Sequence, residues 1–408
     1  VANVDSSLAR VAANSADAAR IKVARTFPTA VWLDRIAAID GAKASGGEMG
    51  LVNHLDAALA QQSAASSGGS LKPMTVQIVV YDLPDRDCAA LASNGELSSA
   101  NGGLAAYKTQ YIDKIAGILA NSKYAGLRIV ALIEPDSYPN MVTNQQMPKC
   151  GTVYQNNVYR DGLRYAMAKF APMPNVYMYL DIAHAGWLGW DNNRTKAVQA
   201  YKELVAGATP SGDLSIIRGF ATNTANYTPL DEPFFDGTDS VVRSDGTTQF
   251  YEWNRAVDEL TYIDKLRTEL VAAGFAQDLG FIVDTGRNGW GGPNRPKAAA
   301  ADVDDMRIDR RAHRGNWCNV KSTGIGERPR AKPDAARSYL DAYVFIKPPG
   351  ASDGTSDSSQ TTPNSEGKQF DPMCGSSNVD ALPNAPHAGH WFHEQFLMLL
   401  GNAYPPLN

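Results

Sequence analysis

The chain has 408 residues, 44% of them hydrophobic, and a formal net charge of −5. This is enough apolar material for a large core, and there is no basic footprint for nucleic acid or apolar run long enough to span a bilayer. The 6 histidines are sparse, and none of the 4 cysteines forms a C-x-x-C pair, which argues against a zinc centre and gives no sign of another metal or a cofactor.

No secretory leader is legible at Val1, so a processed start is expected. Residues Val1 to Lys22 are Ala-rich and read as a helical lead-in, followed by a short apolar run from Ala30 to Leu33 that includes Trp32. Gln61 to Ser70 (QQSAASSGGS) reads as a surface loop.

From there, apolar runs and amphipathic stretches alternate. Strands are expected at Thr75–Tyr81, Leu127–Ile133, Val176–Leu180, Leu214–Phe220, Leu279–Val283 and Tyr339–Ile346. Helices are expected at Gly103–Leu119, Tyr154–Phe170, Thr195–Ala206, Phe250–Ala273 and near Ala388–Leu400. The alternation argues for an α/β fold with a parallel sheet, open or closed into a barrel. No G-x-G-x-x-G follows the first strand and no P-loop occurs, so nucleotide-binding folds lose ground.

Two stretches break the rhythm, Asn288–Asn316 and Gly350–His387, both rich in Gly, Pro and Asp. Loops this long inside a compact domain are usually functional or disordered. Each ends near a cysteine, Cys318 or Cys374; the other two cysteines are Cys88 and Cys150. The even count suits two disulfides and an oxidising compartment, with three pairings open from counting alone.

The polar residues fall at the strand exits: Asp82, Asp85, Arg86 and Asp87; Glu134 and Asp136; Asp181 and His184; Asn223 and Asn226; Asp284 and Arg287; Lys347 and Asp353. In an α/β barrel these exits share one mouth, where active sites form. Trp187 and Trp190 follow the third strand, and one of them is expected to be exposed; Trp253 and Trp391 are expected in the core. Carboxylates beside indoles suit carbohydrate, because a sugar ring has apolar faces and hydroxyl edges. Glycoside hydrolysis needs one carboxylic acid that stays protonated near neutral pH, held so by burial or a like charge. Asp136, just past the strand ending in Ile133 and separated from Glu134 by Pro135, is the candidate acid, with Glu134, Asp85 and Asp87 as candidate like charges. The competing reading, Asp136 as a helix N-cap, is a common fate for aspartate.

The strings VVYDLPDRDCAALASNGE (Val79–Glu96), IEPDS (Ile133–Ser137), YLDIAHAGWLGW (Tyr179–Trp190), RGFATNTANY (Arg218–Tyr227), WCNV (Trp317–Val320) and KPPGASDGTSD (Lys347–Asp357) resemble glycoside hydrolase family 6. The resemblance implies a distorted TIM-like barrel of about seven parallel strands, a single catalytic domain over residues 1–408, and a cleft roofed by long loops. It implies inverting hydrolysis of β-1,4-glucan, with release of cellobiose from non-reducing ends if the loops make a tunnel and endo cleavage if the cleft is open.

Position by position, Asp136 matches the catalytic acid and Asp87 the aspartate that keeps it protonated. Asp353 matches the proposed base, whose role a water relay could fill, Tyr81 a tyrosine that favours sugar distortion, and Ser93 a serine that holds the attacking water. Arg86, Lys347, Asp181 and His184 match residues that bind sugar or support the acids, and Asn226 is a candidate binding amide. Trp32, Trp187, Trp190 and Trp317 match stacking platforms, and the cysteines match disulfides Cys88–Cys150 and Cys318–Cys374. The family often has Glu where this chain has Ala351, which puts local sugar contacts in doubt. The expected partners are cellulose and cello-oligosaccharides. The expected setting is a secreted monomer without cofactor, compatible with a carbohydrate-binding module outside these residues.

Overall fold

The computed structural model describes residues 2–41, 49–66, 71–243 and 250–407. The described residues form one eight-stranded sheet in the order β1-β2-β3-β4-β5-β6-β8-β7. Seven of its strands run parallel: β1 (Val31–Leu33), β2 (Met74–Val80), β3 (Leu127–Ile133), β4 (Val176–Asp181), β5 (Gly219–Thr222), β6 (Gly280–Asp284) and β8 (Leu340–Val344). The short β7 (Arg330–Ala331) pairs antiparallel with β8. The sheet curls, and its two ends are held together without a ladder. Ala30 N donates to Phe345 O (3.0 Å), and Trp32 Nε1 donates to Ile346 O (2.9 Å). The expected α/β architecture, a distorted barrel of about seven parallel strands, is what the chain adopts.

Period-two alternation divides each strand between two cores. On β2 and β3 the outward set is Ile78, Val80, Ile129, Ala131 and Ile133, packed under the helices in the largest apolar cluster. The inward set supplies a second cluster inside the curl, with Val79, Leu132, Tyr179, Ala221, Ile282 and Val344 drawn from six strands. This packed interior fills the barrel and leaves the strand exits as the place for chemistry.

Several elements differ from expectation. The stretch Leu214–Phe220 is split: Leu214–Ile216 is a 3₁₀ turn capped by the Asp213 side chain, and the strand starts at Gly219. A Cβ at Gly219 would lie 1.8 Å from Gly280 O, so β5 and β6 approach too closely there for a side chain. The expected helix Tyr154–Phe170 is two, Pro148–Gln155 and Val158–Phe170, broken at Asn157 with φ 55°. The expected helix from Phe250 starts only at Glu259, where the Asp258 side chain accepts from Thr261 N. The last helix is His393–Gly401, so Trp391 precedes it, half-buried, in a bridge with Ala351. Gln61 to Ala65 belong to the helix Leu51–Ala65 and are not loop; residues 67–70 lie outside the described residues. The lead-in is two helices, Ala2–Ala9 and Ala16–Ala24.

Both disulfides form as the family resemblance implied, Cys88–Cys150 and Cys318–Cys374. The second fastens the two long stretches together, and a bridge between Val320 and Ala381 continues the seam. Asp380 accepts from Ala312 N (2.9 Å) through its side chain and from Lys321 N (2.8 Å) through its carbonyl. Further along, Asp371 accepts from Leu91 N (2.8 Å), and Lys368 pairs with Asp34 (3.3 Å). The stretches therefore form one continuous flank from the exit of β6, past β8, to the exits of β1 and β2.

Candidate active site

The exits of β2, β3, β4 and β5 share a device. Non-glycine residues take left-handed φ there: Asp85 and Asp87, Glu134 and Asp136, Ala183, Asn223 and Ala225. Each costs about 1–3 kcal/mol and persists only where surrounding bonds over-determine it. The device redirects side chains. At Glu134 (φ 50°) the chain turns, and its buried carboxylate accepts from Asp82 N (3.0 Å) and Leu83 N (3.2 Å). Glu134 thus braces the β2 exit, and the carboxylates that act most strongly on Asp136 are Asp87, Asp181 and Asp353. Asp85 likewise accepts from Ser99 N (3.0 Å) and holds a turn.

Asp136 (φ 61°) stands at the N-cap position of helix Ser137–Thr143 but makes no side-chain capping bond. Its backbone is pinned on both sides: its N–H donates to Asp181 Oδ2 (3.1 Å), and its carbonyl accepts from Asn140 Nδ2 (2.7 Å). The carboxyl is left free for other work. Burial pushes its pKa well above 3.8, and the negative charges of Asp87, Asp181 and Asp353 push the same way against Lys347. Those four groups come from three strand exits, those of β2, β4 and β8.

Asp87 is buried and accepts from Tyr81 Oη (2.8 Å) and from Ser93 Oγ. Tyr81 meets Trp32 edge-on at 5.3 Å. The Tyr81 position is set from outside the barrel: Tyr111, within a π-helical stretch Tyr107–Ile112, accepts from Tyr81 N (2.9 Å) and donates to Leu33 O. Asp181 is buried, and burial pushes its pKa up to about 6, with Asp136 N–H and Ala183 N–H opposing.

Asp353 lies at the opposite exit, 2.8 Å from Arg287 Nη1, paired with Lys347 Nζ, and accepting from Tyr227 Oη and from Asn319 N (2.8 Å). Burial raises its pKa, but the Arg287 and Lys347 charges outweigh it and hold the carboxylate below its usual range. Gln395 Nε2 donates to Tyr227 Oη (3.1 Å), tying the knot to the last helix.

Two candidate binding residues, Arg86 and His184, are buried and hydrogen-bonded within their own loops. Arg86 is 1% exposed, donates to Ser93 O (2.9 Å) and Asp34 O (2.6 Å), and lies over the Tyr81 ring at 4.3 Å. It supports the loop that carries Asp87 and Ser93 and has no free face for a ligand. His184 is buried; burial, with Arg311 and Arg314 near it, pushes its pKa well down, so the ring is neutral. Its Nδ1 accepts from Gly186 N (3.2 Å) and shapes the turn into Trp187.

Trp32, Trp187, Trp190 and Trp317 are all half-buried, so the expectation that one of Trp187 and Trp190 is exposed gives way to two partly covered rings. Trp187 Nε1 donates to Thr143 Oγ1 (2.8 Å) and Trp190 Nε1 to Glu252 O (2.6 Å), fixing both rings. Asn226 is half-buried and accepts from Tyr227 N (2.7 Å). The roles of Arg287 and Tyr227 beside Asp353, and of Tyr111 behind Tyr81, were not anticipated. An arginine at a strand exit is a visible signal; a phenol on a remote helix is not.

The model of glycosyl hydrolases family 6 matches residues 2–403. Exoglucanase A of Cellulomonas fimi is 47% identical over 99% of this chain, which spans only 47% of that protein's length. A probable 1,4-beta-D-glucan cellobiohydrolase C of Aspergillus niger is 39% identical over 94% of the chain and 70% of its own length. Among solved structures, the catalytic domain of Cellulomonas fimi Cel6B superposes with TM-score 0.90 at 47% identity, covering 100% of this chain and 93% of that one. Cellobiohydrolase II of Humicola insolens in complex with glucose and cellotetraose gives TM-score 0.77 at 36% identity, covering 98% and 94%.

Proposed function

The chain belongs to glycosyl hydrolases family 6, and on that premise we propose that it cleaves β-1,4 links of cellulose with inversion, releasing cellobiose from non-reducing ends. The observation that carries this reading is Asp136: a carboxyl at a strand mouth, uncapped, raised by burial and ringed by three further carboxylates. Held protonated, it gives its proton to the glycosidic oxygen as the bond to the anomeric carbon breaks. Positive charge then grows on the sugar ring, and the Asp87 carboxylate faces it. Tyr81 and Trp32 shape the floor on which the ring distorts.

Water attacks from the opposite face, oriented by Ser93. Because Ser93 Oγ already bonds Asp87, the proton lost by that water has a path towards Asp87. Asp353 is a poor base, since Arg287 and Lys347 hold it below its usual range; its work is to keep those cations fixed at the cleft wall. Trp32, Trp187, Trp190 and Trp317 offer ring faces for successive glucose units.

The fastened flank of Asn288–Asn316 and Gly350–His387 supports exo action through a covered passage, as do the relatives' names. The two disulfides favour a secreted protein. The test is the first product formed. Proton NMR of fresh cello-oligosaccharide digests should show the α-anomer before mutarotation, and a β-anomer would contradict inversion. On a soluble cellulose derivative, sugar release should run ahead of viscosity loss, whereas early viscosity collapse would assign endo cleavage.

A further inference from the structure

The turn after residue 250 presents an indole that the chemistry above does not use. Trp253 is 53% exposed, whereas its neighbours Phe250, Tyr251 and Val257 are buried in a small core with Val242 and Met306. Its backbone is left-handed (φ 66°), as is that of Glu252 (φ 46°). Two successive bulky residues in that region are an outlier that needs outside support. The support is present. Trp190 Nε1 donates to Glu252 O (2.6 Å), Trp253 N to Val242 O (2.5 Å) and Asn254 N to Tyr251 O (2.8 Å). The Asn254 side chain donates to Ala185 O (2.7 Å), at the start of the short helix Ala185–Leu188 that carries Trp187.

The strained turn is therefore clamped to the same element that holds the inner platforms. Trp187 is tied to Thr143, on the helix that Asp136 begins; Trp190 follows three residues on; Trp253 is one residue past the carbonyl that Trp190 bonds. The three indoles are linked in turn by these bonds, and of the three only Trp253 is exposed. A tryptophan held out of a neighbouring core, on a backbone locked against relaxation, is poorly explained as packing.

We propose that Trp253 is an outer stacking platform for the glucan chain, extending the row Trp187–Trp190 by one step at the mouth of the cleft. The proposal rests on the carbohydrate reading above. Its occupant is a β-1,4-glucan long enough to reach past Trp190, held by ring-face contact and not by charge.

The test compares Trp253→Ala and Trp253→Phe with the parent chain on two substrates, an aryl cellobioside and cellohexaose. The Ala variant should leave kcat/KM on the short substrate unchanged, and lower affinity for cellohexaose about tenfold, as loss of one aromatic stacking partner would. The Phe variant should recover most of that loss. Affinity is read by calorimetry in an Asp136→Asn background, so that turnover does not confuse it. Unchanged cellohexaose affinity, or equal losses on both substrates, would overturn the proposal. So would a shift in oligomeric state by sedimentation with cellohexaose affinity intact, which would make Trp253 a contact between copies. Should the parent chain itself fail to bind or cleave cello-oligosaccharides, the underlying function is wrong, an outcome separate from failure at Trp253.

Discussion

Asp136→Asn should slow cleavage of cello-oligosaccharides by about 10²–10⁴-fold, the usual worth of a positioned general acid. Binding should survive, because the side chain makes no capping bond and the backbone around it is held by Asp181 and Asn140. The loss should depend on the leaving group. An aryl cellobioside with a strongly acidic phenol needs no proton to depart and should lose little, whereas an unactivated oligosaccharide should lose the full factor. Steady-state kinetics on the two substrates make the comparison. Equal losses on both would mean that Asp136 does something other than protonate the departing oxygen.

Asp87→Asn is the second large effect. The amide keeps the shape of the carboxylate and a hydrogen-bonding partner for Tyr81 and Ser93. It removes a negative charge that faces the developing cation and receives the water's proton, which should lower kcat by about 10²–10³-fold. It should also move the pH profile. Burial is the largest reason that Asp136 holds its proton, and the Asp87 charge is the next. Without that charge the folded-state pKa of Asp136 falls, its protonated fraction is lost at lower pH, and the alkaline limb of kcat/KM moves towards acid. A limb that stays in place or moves towards alkali would show that Asp87 does not tune the acid.

The sheet was legible because its strands are buried on both faces and read as continuous apolar runs, as in TVQIVVY and LRIVALI. Helix starts were not. Phe250 to Asp258 looks helical in composition, but Asp258 is the cap, and the residues before it form the clamped turn of Trp253. The same limit operated at Asn157, where one left-handed residue splits a helix.

The candidate acid stood out as a carboxylate past Pro135 at the end of an apolar strand, but only the structure separates it from an ordinary N-cap, since its side chain makes no capping bond. Its surroundings were harder to read. Alternation alone cannot show that Glu134 turns away to brace Asp82 and Leu83, since a single positive φ decides it. Nor could spacing show that Arg86, among four candidate polar residues at its exit, packs on the Tyr81 ring while Asp87 accepts from the Tyr81 hydroxyl. The ring of charges around Asp353 depends on a loop that returns through Asn319, a contact across 34 positions.

The account depends most on Asp136 keeping its proton where an ordinary aspartate has lost it. Carbon-13 NMR of aspartate-labelled protein, titrated in parallel with the Asp136→Asn variant, measures this directly. One carboxyl resonance, missing from the variant, should remain in its protonated position far above pH 3.8. If the resonance that disappears in Asp136→Asn titrates near 3.8 in the parent chain, Asp136 is ionised under working conditions and cannot be the acid.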